Sequence, residues 1–227
     1  MSPTKHNKIK SLNPNDWAGR MKNIPCFLLG NAPSINDIDL TLLDDYFTIG
    51  INRIFFKYDP TVLMWQDLAL WLQEKKRVVK CKAIKYCREG AETKGGFYTF
   101  KLGDRDPKLT PVPGKLHGRG SSGSIAYQFA YSLRCDPIIL VGMDCAHGKL
   151  KGKTITDFYG NNSMHRQHTI PACKKGLKFI RDNHKGKTIY NCSNNNVFPE
   201  KYTIKEVINK LPDKKYNREE LTKMLLE

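Results

Sequence analysis

Polar residues follow three apolar runs of this chain, at the points where those runs end. The runs cover residues 26–29, 47–51 and 61–65, and each stops at Gly, Asn or Gln. Short apolar runs bounded by turn formers are typical of parallel strands buried on both faces, and the carboxyl ends of such strands meet at the edge where α/β proteins bind ligands. We therefore predict a ligand site at this edge. Its residues are Gly30, Asn31, Ser34, Asn52, Gln66 and Asp67.

The stretch 118–145, GRGSSGSIAYQFAYSLRCDPIILVGMDC, combines a helix start with another buried strand. Ser121 or Ser122 is placed to cap a helix with an apolar face, and residues 137–141 form a strand that ends near Asp144. Unpaired N–H groups at the helix N-terminus, two serine hydroxyls and Arg119 together suit a phosphate. Simple helix capping is the alternative interpretation. The residues assigned to this site are Arg119, Ser121, Ser122, Gly123 and Asp144.

Residues 146–170 form a polar insertion punctuated by glycines, between the strand end and a helix predicted over 171–184. An insertion at the ligand edge is typical of a mobile lid. It contains Tyr159 and His168. A last strand, predicted over 188–191, is followed by a polar turn that includes Asn194.

The bulk composition indicates one folded domain. The chain has 227 residues, of which 40% are hydrophobic. No apolar run approaches the ~18 residues of a membrane span, and the first twenty residues lack a signal core, so we expect a cytoplasmic protein, in a host cell if a phage encodes it. Seven cysteines without a C-x-x-C pair are expected to be reduced thiols.

The net charge of +16 is large enough to attract a polyanion. The densest basic run is interleaved with apolar residues, as an edge strand or a helix end would be. Two interpretations of this run are kept: a solvated surface that opposes aggregation, and a surface that binds DNA. The run consists of Lys75, Lys76, Arg77, Lys80, Lys82, Lys85 and Arg88.

These elements predict an α/β fold with a Rossmann-like, mostly parallel sheet flanked by helices and a lid near the carboxyl ends of the strands. The long segment 93–119 is either a functional loop or contains short irregular strands. Two terminal helices are predicted over 203–211 and 217–226, the second with Asn217 and Glu220 as a capping box. A structural role and a role in oligomerisation are the two interpretations of these helices. The expected organisation is a lead-in over 1–22, a Rossmann-like domain over 23–211 and a C-terminal helix over 212–227.

The ordered set GNAPS, GIN, SSG before a helix, IILVGMD, and a histidine before another helix resembles a known family. It is similar to the bacterial sialyltransferases of the Campylobacter type, glycosyltransferase family 42. It more loosely resembles a domain of archaeal hydroxymethylpterin diphosphokinases and many phage-encoded proteins. The resemblance covers residues 25 to about 198. It implies a metal-independent glycosyltransferase that takes a CMP- or UDP-linked sugar, with a glycan or modified DNA as acceptor.

The resemblance also implies roles for single residues. Asn31 and Ser34 match a Gly-Asn-Gly-Pro-Ser loop that contacts the donor nucleotide, with Ala32 in place of a glycine. In the same way Asn52 matches the Asn of a Cys-Asn-Gln stretch, and Ser122 with Gly123 matches a Ser-Gly pair at a helix start. The remaining matches are the general base, a phosphate-binding lid tyrosine and a turn near the nucleotide base, which fall on His168, Tyr159 and Asn194.

Other classes of protein stay open. In a magnesium-dependent diphosphokinase, Asp67 and Asp144 at adjacent strand ends would be the metal ligands. A nucleic-acid-binding module without catalysis would use the basic run. Zinc is a further alternative, although the spacing of the residues matches no structural zinc signature. Its ligands would be Cys145, His147, His165 and His168.

Overall fold

The structure is a computed structural model that describes residues 13–93, 96–118, 121–150, 152–160, 169–184 and 186–227. It is built on an eight-stranded sheet in the order β10-β7-β1-β2-β3-β4-β5-β6, and every neighbouring pair is parallel. Two further strands pair with each other as an antiparallel hairpin. The strands are β1 (Cys26–Leu29), β2 (Phe47–Ile51), β3 (Val62–Trp65), β4 (Ile84–Arg88), β5 (Tyr98–Leu102), β6 (Lys115–Leu116), β7 (Ile138–Val141), β8 (Gly148–Leu150), β9 (Lys153–Ile155) and β10 (Ile189–Cys192).

Helices cover both faces of this sheet, which is the arrangement that fully apolar parallel strands require. The described helices are α1 (Leu68–Lys80), α2 (Ser122–Ser132), α3 (Thr169–Asn183), α4 (Ile204–Ile208) and α5 (Arg218–Leu226). The capping box predicted at Asn217 and Glu220 is confirmed. Within the described ranges, no helix combines the length and the apolar character that a membrane crossing needs.

The sheet changes direction beside β1. The chain builds β1 to β6 towards one side and then returns to place β7 and β10 on the other side of β1. The carboxyl ends of β1 and β7 therefore flank a topological switch point, which is where open α/β sheets bind ligands.

Two hydrophobic clusters hold the sheet between its helices, one on each face. Alternate residues of β1 divide between them, since Leu28 belongs to one cluster and Phe27 to the other. Part of the expected lead-in joins the first cluster, because Trp17 is fully buried and its ring lies 4.7 Å from that of Tyr98. Leu225 of α5 is buried in the same cluster.

Most predicted elements are confirmed, with shifts of one or two residues at their ends. The segment 93–119 contains β5 and β6, two strands that extend the parallel sheet. The expectation of a basic edge strand is wrong, because β4 lies between β3 and β5 and only the first part of the basic run is a helix end. All seven cysteines are free thiols, as predicted.

Candidate functional site

A cavity of about 1040 Å³ opens at the switch point, at the carboxyl ends of β1, β2, β3 and β7. Its floor is formed where two glycines meet. The Gly30 N–H donates to the Val141 carbonyl over 2.7 Å, and a Cβ added to Gly30 would lie 2.1 Å from the carbonyl oxygen of Gly142. Gly142 has φ +62°, a left-handed conformation that favours glycine. These residues let the two strand ends approach closely enough to form a shared floor.

Asn31 lies directly after Gly30 and presents an unsatisfied acceptor at this cavity. Its Nδ2 donates to the Ile51 carbonyl over 2.7 Å, which fixes the orientation of the amide. Its Oδ1 is buried and has no hydrogen-bond partner, and the residue is only 9% exposed. A buried acceptor without a partner costs free energy unless a ligand or water satisfies it. Asn31 is therefore positioned to accept a hydrogen bond from a ligand in the cavity.

Asn52 and Gln66 bring the ends of β2 and β3 to the same wall. Asn52 lines the cavity in a left-handed conformation, φ 50°, which Asn adopts more readily than most residues. Gln66 is buried, and its Nε2 donates to Ser122 Oγ over 3.0 Å. Asp67 is the exposed N-cap position of α1 and makes no capping hydrogen bond.

The start of α2 adjoins this wall, through the hydrogen bond between Gln66 and Ser122. Ser121 is the N-cap, as predicted, and its hydroxyl accepts from the Ser124 N–H over 3.4 Å. Close packing of α3 holds this end in place, since a Cβ on Gly176 would lie 2.3 Å from Ser121 Oγ. Ser122 and Gly123, the first residues of the helix, also line the cavity. The unpaired backbone N–H groups of this first helical turn suit an anion or a polar group of a ligand.

Asp144 joins three strand ends. Its carboxylate accepts from Ser34 Oγ over 2.7 Å, from the Ser34 N–H over 3.2 Å and from the Asn194 N–H over 2.9 Å. Ser34 and Asn194 are therefore tied to Asp144, and neither lines the cavity. Asp144 itself lines the cavity, and its bonds to Ser34 and Asn194 hold the loops after β1, β7 and β10 together.

The described part of the predicted lid rests on the β1 loop. The β8–β9 hairpin packs there, with a Cβ on Gly148 only 2.6 Å from Pro33 Cβ. Further along, the Phe158 N–H donates to the Asn31 carbonyl over 2.9 Å. This bond places Tyr159 at the cavity, where its ring packs against Phe56 with centroids 6.1 Å apart.

Cys145 and Cys173 lie together on the cavity wall. The pKa of the Cys145 thiol is raised far above its usual value, first by a hydrogen bond with Cys173 and then by burial. Cys145 is therefore a protonated thiol at neutral pH. It is not an activated nucleophile.

The structure brings together most of the residues that the sequence predicts for the site. The cavity is lined by Gly30, Asn31, Asn52, Gln66, Asp67, Ser121, Ser122, Gly123, Asp144 and Tyr159. Arg119 and His168 lie outside the described residues, as does His165 of the zinc alternative. Among the described residues, His, Cys, Asp and Glu form no group of three suited to a metal ion.

Sequence reasoning missed several charged and polar residues of the cavity. Arg53 follows Asn52 directly, and Glu74 lies two turns into α1. Asp157 precedes the lid aromatics and is buried. Arg53 could have been predicted from the sequence, because it is a cation directly after Asn52 at a predicted strand end. Glu74 and Asp157 reach the site only through the path of α1 and of the lid, which no local pattern specifies.

Comparison with solved structures gives a neighbour of low sequence identity. The fold is similar to that of the sialyltransferase CstII from Campylobacter jejuni in complex with a substrate analogue, cytidine-5′-monophosphate. The sequence identity is 14%, the match covers 75% of this chain and 80% of that chain, and the TM-score is 0.43. No protein-family model matches the chain, and no curated protein matches it either.

Proposed function

We propose that the chain is a glycosyltransferase that binds a nucleotide-linked sugar in the switch-point cavity. The observation that carries the proposal is Asn31, whose buried Oδ1 lacks a partner beside a cavity of about 1040 Å³. A cavity of this size suits a ligand of nucleotide-sugar dimensions. The amide N–H groups of a pyrimidine or the hydroxyls of a ribose would satisfy Oδ1. The motif resemblance selects sugar transfer among the reactions that use nucleotides, with a CMP- or UDP-linked donor.

Sugar transfer makes two chemical demands on this site. The bond between the anomeric carbon and the phosphate oxygen breaks through a state with oxocarbenium character, so the departing phosphate needs hydrogen-bond donors. Ser122, the N-terminal turn of α2 and Arg119 are the proposed donors. The acceptor hydroxyl forms the new bond and loses its proton to a general base, for which we propose His168.

A magnesium-dependent diphosphokinase fits the carboxylates less well. Both oxygens of Asp144 already accept hydrogen bonds from Ser34 and Asn194. In the sheet, β1 and β2 lie between β7 and β3, so Asp144 and Asp67 do not follow adjacent strands as predicted, and of this pair only Asp67 would be left to hold the ion. We therefore propose a reaction that does not depend on a metal ion.

The acceptor is proposed to be a polyanion, either DNA or an anionic glycan, held by the basic run. Lys75, Lys76, Arg77, Lys80 and Lys82 are exposed at the end of α1 and just after it. Exposed basic residues on one surface attract phosphates or carboxylates without requiring a particular sequence. The N-cap residue of the same helix, Asp67, lines the cavity, so α1 connects the cavity to the basic run.

The test is the release of nucleotide from a panel of CMP- and UDP-linked sugars, with and without a chelator, in the presence of glycan or DNA acceptors. We expect turnover with one donor class and the same rate after chelation. His168→Ala should lower turnover by about 10²–10⁴-fold, the usual range for loss of a general base.

His165→Ala is the matched control, because it changes another histidine of the same predicted lid segment. Equal losses in both variants would point to disruption of the lid. The proposal is wrong if the panel gives no turnover, or if the chain transfers diphosphate in a reaction that the chelator stops.

A further inference from the structure

Arg53 is a nearly buried cation on the wall of the cavity. It is the second residue of a 3-10 turn, Asn52–Phe56, that follows β2, and its side chain is only 13% exposed. Arginine is almost never buried to this extent unless other groups hold it. The groups that contact the guanidinium therefore indicate its role.

Three groups from two other elements hold the Arg53 guanidinium in place. Nε donates to Glu74 Oε1 over 3.3 Å, and Nη2 donates to Gln73 Oε1. The Cζ atom lies 5.5 Å from the centroid of the Tyr159 ring, a cation–π distance. In the described part of the chain Nη1 has no hydrogen-bond partner, so the fixed guanidinium retains free donor capacity.

Glu74 does not neutralise Arg53 completely, because a second arginine shares the same carboxylate. Arg77 Nη1 lies 3.6 Å from Glu74 Oε2. The three side chains together have a net charge of +1. Arg77 differs from Arg53 in position, since it is 64% exposed, packs over Phe56 and does not line the cavity.

The other charged side chains of the described cavity wall are acidic. Asp67, Glu74, Asp144 and Asp157 line it, and Arg53 is the only Lys or Arg among the described lining residues. Carboxylates around a cavity repel an anionic ligand. A ligand with phosphate groups would therefore gain most from the side of the cavity where Arg53 lies.

We propose that Arg53, held in place by Glu74, Gln73 and the ring of Tyr159, binds the phosphate groups of the ligand. The assignment of a nucleotide as the ligand rests on the proposed function. The anion site rests on Arg53 itself. A preorganised guanidinium presents paired donors to phosphate oxygens at little cost in side-chain entropy, which a lysine ammonium does not reproduce.

The test measures the thermal shift produced by inorganic pyrophosphate, by cytidine and uridine, and by their monophosphates, at constant ionic strength. Arg53→Gln should weaken binding of the phosphate-bearing probes by about 10- to 100-fold, as expected for loss of a hydrogen bond to a charged group, and leave the response to the nucleosides unchanged. Arg53→Lys should restore part of the loss. Arg181→Gln, which removes the same charge at an exposed position of α3 that does not line the cavity, should bind all probes as the parent does.

The results distinguish a failure of the anion site from a failure of the proposed function. If the parent responds to pyrophosphate but to no nucleoside or nucleotide, the proposed function is wrong and the anion site stands. If monophosphates stabilise Arg53→Gln and Arg53→Lys as much as the parent, the Arg53 assignment is wrong and the function stands. An equal loss in Arg181→Gln, or no response of the parent to any probe, also overturns the assignment.

Discussion

Asp144 and Asn31 show how residues of the same predicted site perform different tasks. Both are polar residues just after a buried strand. The Asp144 carboxylate is engaged by Ser34, 110 residues earlier in the chain, and by Asn194, 50 residues later. Asn31 instead donates to a neighbouring strand through Nδ2, and its Oδ1 is buried without a partner in a residue that lines the cavity. The sequence predicts that both belong to the site, but their roles depend on distant partners that no local pattern reveals.

The Asp144 contacts predict a structural effect of Asp144→Asn. The new amide has one acceptor oxygen instead of two, and its NH₂ group would face donors from Ser34 or Asn194. We expect the free energy of unfolding to fall by about 2–4 kcal/mol, because hydrogen bonds to a charged acceptor are lost and a buried donor is left unpaired. Urea denaturation followed by circular dichroism measures the change.

Asp67→Asn is the control, at the end of β3, which β1 and β2 separate from β7 in the sheet. Asp67 is exposed and makes no capping hydrogen bond, so its substitution should change stability by less than about 0.5 kcal/mol. Equal stability of Asp144→Asn and the parent would show that Asp144 does not hold the three loops together.

At the scale of the elements, the sequence predicts the continuously apolar strands and β10, but it does not define β4, β5 and β6. β1, β2, β3 and β7 are buried along their whole length, and each was predicted from its composition. β5 alternates in burial, and β6 has only two residues, too short for any pattern. β4 carries Lys85 and Arg88, which suggested an edge, but both are half-buried on an interior strand, where Lys85 Nζ donates to the Cys81 carbonyl.

The close contact of β1 and β7 predicts that Gly30→Ala is strongly destabilising. The added Cβ would lie 2.1 Å from the Gly142 carbonyl oxygen, a backbone atom that moves only if the strand ends separate. We expect a loss of about 3 kcal/mol or more in the free energy of unfolding and a loss of ligand binding at the cavity. Chemical denaturation and the nucleotide thermal shift measure the two effects.

Gly123→Ala is the matched control, because it adds the same methyl group at another glycine of the cavity. There the new Cβ would meet Met143 Sδ at 3.5 Å, an ordinary contact, and alanine favours a helix over glycine. Its stability should equal or exceed that of the parent. If Gly30→Ala is as stable as Gly123→Ala, the two strand ends do not require the glycine.

For the whole molecule, the main feature is the contrast between a basic surface and an acidic cavity. The net charge is +16, yet the described cavity wall has four carboxylates and one arginine. Composition predicts the overall attraction to polyanions. It cannot predict where the acidic residues gather, because that depends on which ends of α1, β7 and the lid meet in three dimensions.

The basic surface predicts DNA binding that weakens steeply as salt is added. Each phosphate contact releases counterions, so the logarithm of the affinity falls linearly with the logarithm of the salt concentration. In the double variant Lys76→Glu, Lys82→Glu the magnitude of this slope should drop by about 2. Fluorescence anisotropy with a labelled duplex over a salt series measures it.

Lys201→Glu, Lys205→Glu is the control with the same change in net charge, at exposed positions beside and within α4. It should keep the parent slope. Equal slopes in the two double variants would mean that binding follows net charge alone. The absence of binding at low salt would leave an anionic glycan as the remaining polyanionic acceptor.

The central claim, a nucleotide at the switch point, is tested most directly by the thermal shift of the parent, Asn31→Ala and Asn36→Ala with the same nucleotides. Asn36 also donates to a backbone carbonyl, that of Phe158, over 3.1 Å, but does not line the cavity. At a ligand concentration of about 100 times the Kd, the parent and Asn36→Ala should gain about 2.7 kcal/mol, and Asn31→Ala should gain almost none. An equal gain in Asn31→Ala, or no gain in the parent, would contradict the account.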